Sequence, residues 1–252
     1  VIPRGRLKFL RSLRLRKVRA RERLLLVEGW NVVGEALAKG VVREGFLGEE
    51  AARHPRAREL GGRCPVHPLS PREVDQLAGT RTPSGVFALV DDPCRPLAGA
   101  ALEAPAIVLL AAGVADPGNL GTLIRTAAAL GAAAVVATAG TVEPTNPKVV
   151  RATAGVIFRL PVLLGEAREV KDLGFRIAVA DARGEPLARW RTRPRRLALA
   201  VGNEPRGVDA GLRALADATV GIPLAGGVES LNVAVAAGIL LHGLSRLEAD
   251  PS

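Results

Sequence analysis

The sequence predicts an α/β protein with a mostly parallel sheet flanked by helices in its C-terminal part and a smaller α/β domain in front. Three features predict it: short apolar runs alternating with helical segments after residue 104, a Pro/Gly-rich stretch just before them, and 48% hydrophobic residues in a chain of 252. A chain of this size buries most of its apolar surface without disulfide staples. Continuous apolar strands separated by helices belong to parallel sheets covered on both faces.

In the front part, Leu24 to Val27 is apolar enough for a strand, Val32 to Lys39 reads as a helix, and Ser84 to Val90 reads as a strand leaving a Gly turn. Asp91 to Gly99 is the best linker candidate, and the expected division is 1–92, a linker at 93–103, and 104–252. Beyond it, Ala106 to Val114 precedes a helical Leu120 to Leu130, and Ala133 to Ala137 precedes Pro147 to Ala154. Phe175 to Ala180 follows, then Leu197 to Val201, Val208 to Ala214, Thr219 to Ile222 and finally Leu231 to Leu247. No apolar run approaches the roughly 18 residues that span a bilayer, so a soluble protein is expected. Cys64 and Cys94 suit a reduced, cytoplasmic compartment, with a bridge between them left open, and no Cys/His cluster has the spacing of a metal site.

The formal charge is +10, and the excess sits at the front. Between Val1 and Arg23 there are ten basic residues against Glu22 alone, so this segment carries +9. Such a block attracts polyanions by counterion release, and arginine suits bidentate phosphate contacts, so nucleic acid is the first partner to expect. Arg11, Arg14, Arg16 and Arg19 are the candidate RNA-binding residues. A solvated basic helix and an Arg-rich transit peptide are the alternatives; the helical pattern running on into Glu28-Gly29-Trp30-Asn31 without a cleavage-like break weighs against the second.

Both G-x-G-x-x-G and a Walker-type Gly-Lys-Ser/Thr are absent, which removes the ordinary dinucleotide and P-loop readings. The placement of asparagine is more informative. The chain has five, and Asn119, Asn146, Asn203 and Asn232 all fall in turns after predicted strands of the C-terminal part. Asp116-Pro117-Gly118-Asn119-Leu120-Gly121 opens a helix carrying Arg125, Gly202-Asn203-Glu204-Pro205-Arg206-Gly207 leaves an apolar strand, and Ile222-Pro223-Leu224 leads to Ser230-Leu231-Asn232. Each can put backbone N–H groups and a short polar side chain at a sheet edge, where ligands of such sheets bind. Each also has a structural reading: Asn119 and Ser230 as helix caps, Gly121 for close helix packing, Glu204 and Arg206 as solvated loop charges.

These segments resemble motifs 1, 2 and 3 of the SpoU (TrmH) family of RNA ribose 2′-O-methyltransferases, within the SPOUT class. Motif 1 matches Asn119 to Arg125, motif 2 Gly202 to Gly207, and motif 3 Ile222-Pro223-Leu224 through Ser230 to Ala236, with Asn146 to Gly155 similar to the family's intervening segment. The front zone, with Leu25 to Gly29 and Gly85 to Ala88, is similar to the small ribosomal-protein-like substrate-binding domain that often precedes this catalytic domain. The resemblance implies a trefoil knot in the C-terminal part, an exception to the rule against threaded chains. It also implies S-adenosylmethionine as cofactor, a homodimer with the active site near the interface, no metal, and 2′-O-methylation of structured RNA, with ribosomal RNA ahead of transfer RNA. Gly202, Ile222 and Leu231 are then the cofactor-binding residues, and Asn119, Arg125, Glu204 and Asn232 the catalytic group that arranges the RNA. Guanidinium has no acceptor and keeps its proton, so Arg125 is expected to grip the adjacent phosphate and stabilise the developing alkoxide rather than act as a base. Where the family has a small hydroxyl residue after Asn-Val, this chain has Ala234, so any hydrogen bond from that position is lost. A non-catalytic RNA-binding protein that retains the fold is the competing expectation.

Overall fold

The computed structural model describes residues 2–203 and 207–250. The chain divides into two compact units, one formed by 1–93 with 145–159, the other by 94–144 with 160–252.

The first unit opens with helices α1 (Arg4–Ser12) and α2 (Arg16–Glu22), followed by β1 (Leu24–Glu28), α3 (Trp30–Lys39) and β2 (Val42–Gly48). Two short helices, α4 (Glu49–Ala52) and α5 (Arg56–Gly61), lead to β3 (Val66–Leu69), α6 (Pro71–Leu77) and β4 (Val86–Asp91). The sheet order is β1-β4-β2-β3, with β4 antiparallel to both neighbours and β2 parallel to β3. Leu10, Leu13, Phe46 and Phe87 are fully buried in its core, so the basic segment is a packed helical layer and not a free arm. Most of its charges point outward because the apolar positions of α1 and α2 point in; Arg19 is the buried exception.

In the second unit, β5 (Arg95–Pro96) and β6 (Ala106–Ala111) precede α7 (Pro117–Ala129) and β7 (Ala134–Ala137). The chain then contributes α8 (Pro147–Ala152) and a 3-10 turn at Val156–Phe158 to the first unit before returning. It continues through β8 (Val162–Leu164), α9 (Ala167–Asp172), β9 (Arg176–Pro186), β10 (Thr192–Arg193), β11 (Arg196–Val201), α10 (Ala210–Leu215), β12 (Ala218–Gly221), α11 (Val233–Arg246) and β13 (Glu248–Ala249). The seven-stranded sheet has the order β12-β9-β11-β6-β7-β8-β5, every pair parallel. All six residues of β6 are buried, as expected for a central strand covered on both faces.

Two expected boundaries need correction. The 93–103 stretch is not a free linker: Arg95 and Pro96 pair with Leu163 and Leu164 as the edge of the large sheet, and Leu97 is buried in its core. Residues 145–159, expected within the second domain, belong to the first unit. Val149, Val150, Val156, Ile157 and Phe158 are all buried there, and Arg159 pairs with Glu35 of α3 at 3.0 Å. Gly155 permits that approach: its φ is +93° and a Cβ on it would stand 2.8 Å from the Glu35 side chain.

Candidate active site at the carboxyl edge of the large sheet

Because the strands run parallel, the loops after β6, β11 and β12 leave the same edge of the sheet, where ligands of open α/β sheets bind. These loops carry the three motifs. β6 and β11 are direct neighbours, with Ala111 opposite Val201, so the first two motif loops start side by side.

After β6 the chain turns at Gly113, φ +71°, whose N–H donates to Thr141 Oγ1 at 3.0 Å. Asp116 caps α7, its Oδ1 accepting the Asn119 N–H at 2.8 Å, and Pro117 occupies the first helical position. The cap is therefore Asp116 and not Asn119, which stands three residues further on with its carboxamide available for another partner. That partner is Asn232, whose Nδ2 donates to Asn119 Oδ1 at 2.9 Å across 113 residues of chain. Asn232, rather than Ser230, caps α11: its Oδ1 accepts the N–H groups of Ala234 at 2.9 Å and Val235 at 3.3 Å. The carboxamide orientations follow from this, since an oxygen turned to two N–H donors leaves the NH2 facing Asn119.

Arg125 lies on the exposed side of α7, while Leu120, Leu123, Ile124 and Ala127 of the same helix are buried. Among the described residues its guanidinium makes no hydrogen bond or ion pair. A cation carried on a fixed helix and left without a protein partner is placed to receive an anionic one. Glu204, with Pro205 and Arg206, lies outside the described residues.

The second loop is held at its base by backbone and by one side chain. Asn203 and Gly207 exchange two hydrogen bonds, 3.1 and 2.7 Å, and Asn203 Nδ2 donates to Gly113 O at 3.3 Å, tying the second loop to the first. Gly202 is required sterically, since a Cβ there would stand 2.2 Å from the Gly207 carbonyl carbon and 2.4 Å from the Val208 nitrogen. The third loop starts at Gly221, packed on the Asp181 and Gly184 carbonyls. Backbone N–H donation from Arg183 and then the Arg213 guanidinium hold the nearby Asp181 carboxyl below its ordinary range. Ile222 and Leu231 are half-buried, at the two ends of a loop in which Val228 N–H to Ala225 O, 3.4 Å, is the only turn hydrogen bond among the described residues. The apolar side chains of Ile222 and Leu231 and the close backbone at Gly202 are of the chemical kind that suits a cofactor with an adenine ring and a charged sulfur chain. Ala234 is buried and gives its N–H to Asn232.

A family model described as the SpoU rRNA Methylase family matches residues 106–242, and one described as the MRM3-like substrate binding domain matches residues 5–88. The chain belongs to the SpoU rRNA methylase family. It is 38% identical over 240 residues to the 23S rRNA (guanosine(2553)-2′-O)-methyltransferase RlmP of Bacillus subtilis, covering 93% of each chain. It is 34% identical over 189 residues to the 23S rRNA (guanosine-2′-O-)-methyltransferase RlmB of Bordetella pertussis, covering 70% of this chain and 76% of that one. Its fold is similar to that of the SpoU methyltransferase AviRb from Streptomyces viridochromogenes in complex with AdoMet, with a TM-score of 0.87 at 27% identity over 97% of this chain and 98% of that one.

The candidate RNA residues of the first unit divide. Arg11 and Arg16 are exposed on α1 and at the start of α2. Arg19 is buried, and its Nη1 donates to the Leu13 and Arg14 carbonyls at 2.9 and 2.7 Å, satisfying groups left open where α1 ends. Arg14 donates to the Gln76 and Ala78 carbonyls at 3.1 and 2.6 Å at the end of α6. Arg19 is therefore withdrawn from the RNA-binding set and Arg14 doubles as a helix-end clamp. Charge counting along the sequence cannot separate these roles, because they depend on which carbonyls lie within reach. Among the described residues, no helix is long and apolar enough to cross a membrane and no cluster of three or more His, Cys, Asp or Glu could hold a metal.

Proposed function

We propose that this chain methylates a ribose 2′-hydroxyl of 23S ribosomal RNA, using S-adenosylmethionine, with the first unit binding the RNA and the second carrying out transfer. The observation that carries the assignment is the Asn232–Asn119 hydrogen bond, which joins motifs 1 and 3 across 113 residues of chain. Ribosomal RNA is favoured because both curated relatives are named for 23S rRNA guanosine 2′-O-methylation.

Gly202, Ile222 and Leu231 would hold the cofactor, which supplies an electrophilic methyl group on a sulfonium. The protein has two tasks: fixing the ribose oxygen in line, and stabilising the charge that develops on it. Arg125 grips the phosphate next to the target ribose and donates to the forming alkoxide. Its exposure, and the absence of a hydrogen bond or ion pair to it among the described residues, support that role. Asn232 holds the start of α11 and orients Asn119, so these two are positioned together for the RNA sugar. Glu204 is proposed to accept a proton or orient Arg125.

The functional unit is proposed to be a homodimer in the cytoplasm. Val235 and Ile239, one helical turn apart on α11, are 52% and 44% exposed, an apolar stripe that a second copy would cover. A molecular mass of one chain at micromolar concentration would refute this. The chain is also proposed to form a trefoil knot, supported by the return of α11 from edge strand β12 to pack on β11 and α7; an experimental chain trace through 222–232 decides it.

The test is transfer of labelled methyl to unmodified total RNA. Arg125→Ala should abolish incorporation while cofactor affinity stays within a few fold. Cofactor binding without incorporation into any RNA by the unaltered protein would refute the enzyme in favour of an RNA-binding relative. Mapping ribose methylation in cells with and without the protein identifies the target.

A further inference from the structure

Only two tryptophans occur in the chain, and one of them, Trp30, is half-exposed at the start of α3. Its ring stacks on that of His54, with centroids 4.6 Å apart and planes 21° from parallel. The pair is braced from the chain side. His54 Nδ1 accepts the Arg56 N–H at 3.2 Å, which fixes the ring, and Arg56 Nη1 donates to the Trp30 carbonyl at 3.4 Å. Trp30 also borders a depression of about 330 Å³ whose other walls are Glu28, Gly29, Asn31, Val32, Arg151 and Ala154, all in the first unit. The Asn31 carboxamide is exposed and makes no hydrogen bond among the described residues.

We propose that Trp30, braced by His54, is a stacking platform for one unpaired nucleobase of the RNA, with Asn31 and Arg151 reading its edge and Arg56 meeting the adjoining phosphate. Sequence-selective RNA contacts are made mainly to unpaired bases, which stack on aromatic rings and present donors and acceptors at their edges. Asn31 offers both a donor and an acceptor, and Arg151 offers donors only, so the site is built for a base carrying acceptors next to a donor. An indole braced on one side costs little further entropy when a base settles against it. The proposal rests on the RNA reading above for its class of ligand. It names a contact made within the first unit, in residues outside the three motifs, and independent of methyl transfer.

The test uses the whole protein without cofactor and two RNAs of matched composition, a hairpin with an unpaired purine-rich loop and a blunt duplex. Titrating the hairpin should quench tryptophan fluorescence and the duplex should not. Trp30→Phe should lose the quench and keep hairpin affinity within a few fold, because the ring remains. Trp30→Ala should bind the hairpin about 5- to 150-fold more weakly, the range seen when a stacking ring is removed, with its thermal melt confirming that it is folded. Equal quenching by the duplex, a quench that survives in Trp30→Phe and so arises at Trp190, or unchanged hairpin affinity in Trp30→Ala would each overturn the platform. Since no cofactor is present, an inactive methyl transfer assay leaves these readings intact. Conversely, normal transfer with unchanged RNA affinity in Trp30→Ala removes the platform and spares the methyltransferase.

Discussion

Asn232 performs two tasks with opposite ends of one carboxamide, and substitution can separate them. Its Oδ1 caps α11 through the Ala234 and Val235 N–H groups, and its Nδ2 reaches Asn119. Removing an N-cap costs about 1 kcal/mol, within roughly 0.5–2, and losing a hydrogen bond between neutral side chains costs about 0.5–1.5 kcal/mol. Asn232→Ala should therefore destabilise the second unit by about 2 kcal/mol, close to a 30-fold shift of the folding equilibrium. Asn232→Asp keeps the cap oxygen that accepts both N–H groups, and its negative charge at a helix N-terminus is favourable. It cannot donate to Asn119 and turns an oxygen towards an oxygen. The aspartate variant should then be folded nearly as well as the parent but lose the link between motifs 1 and 3, and with it most methyl transfer. The assay is urea unfolding of the parent, Asn119→Ala, Asn232→Ala and the double variant, alongside transfer rates. A coupling of about 0.5–1.5 kcal/mol between the two positions is expected. Strictly additive effects, or an aspartate variant as unstable as the alanine one, would show that the carboxamides do not meet as described.

Gly202→Ala should abolish cofactor binding in calorimetry while leaving most of the helical signal, because its Cβ would stand 2.2–2.4 Å from backbone atoms of Gly207 and Val208 that cannot rotate away. Acid unfolding provides a test in the first unit. The Ser70 N–H and hydroxyl, then the Ile2 N–H, hold the Glu73 carboxyl below its ordinary range despite burial. Its contribution is complete above the unfolded value and is lost as pH falls through the lowered folded value, so Glu73→Gln should cost about 1–3 kcal/mol at neutral pH and flatten the stability profile on the acid side of the usual carboxylate range. A parallel profile would exclude Glu73 as its source. In the helical layer, Arg11→Ala with Arg16→Ala should reduce the salt dependence of RNA binding without lowering the melting temperature, whereas Arg19→Ala should lower it by exposing the need of the Leu13 and Arg14 carbonyls. The reverse pattern would restore Arg19 to the RNA-binding set.

The large sheet is legible in the sequence because its strands are continuous apolar runs, and burial on both faces leaves that signal unbroken. The expected runs at 106–114, 133–137, 197–201 and 219–222 each contain the observed strand, except that β11 and β12 begin one residue earlier, at Arg196 and Ala218. The strand β9 runs on to Pro186, beyond the expected end at Ala180, because a register shift opposite Thr219 and Val220 lets an irregular polar stretch keep pairing. Such a shift has no periodicity to betray it. The elements α4, α5 and β3 are not legible for a related reason: they are four to six residues long, too short for a period to repeat.

The site was legible as a set of loops but not as a set of roles. Asn119, Asn203 and Asn232 stand in or just beyond the loops that follow β6, β11 and β12, since such turns must supply polar groups where a ladder stops, whereas Asn146 falls in the first unit. Which residue caps which helix was not fixed by type, as Asp116 and Asn119 are both good caps three positions apart. The structure resolves the ambiguity through chemistry at a distance: Asp116 takes the α7 cap, which frees the Asn119 oxygen for Asn232. This division has a functional consequence. Had Asn119 been the cap, its oxygen would have been spent locally and motifs 1 and 3 would each be an independent helix start. With Asp116 in that place, the start of α11 and the start of α7 share a hydrogen bond, so a ligand that orders either loop favours the arrangement of the other. If cofactor binds at Ile222 and Leu231 as proposed, it should tighten the side of the site that carries Asn119 and Arg125, and the Asn232→Asp variant, which keeps the cap and breaks the link, should bind cofactor normally yet gain no added RNA affinity from it.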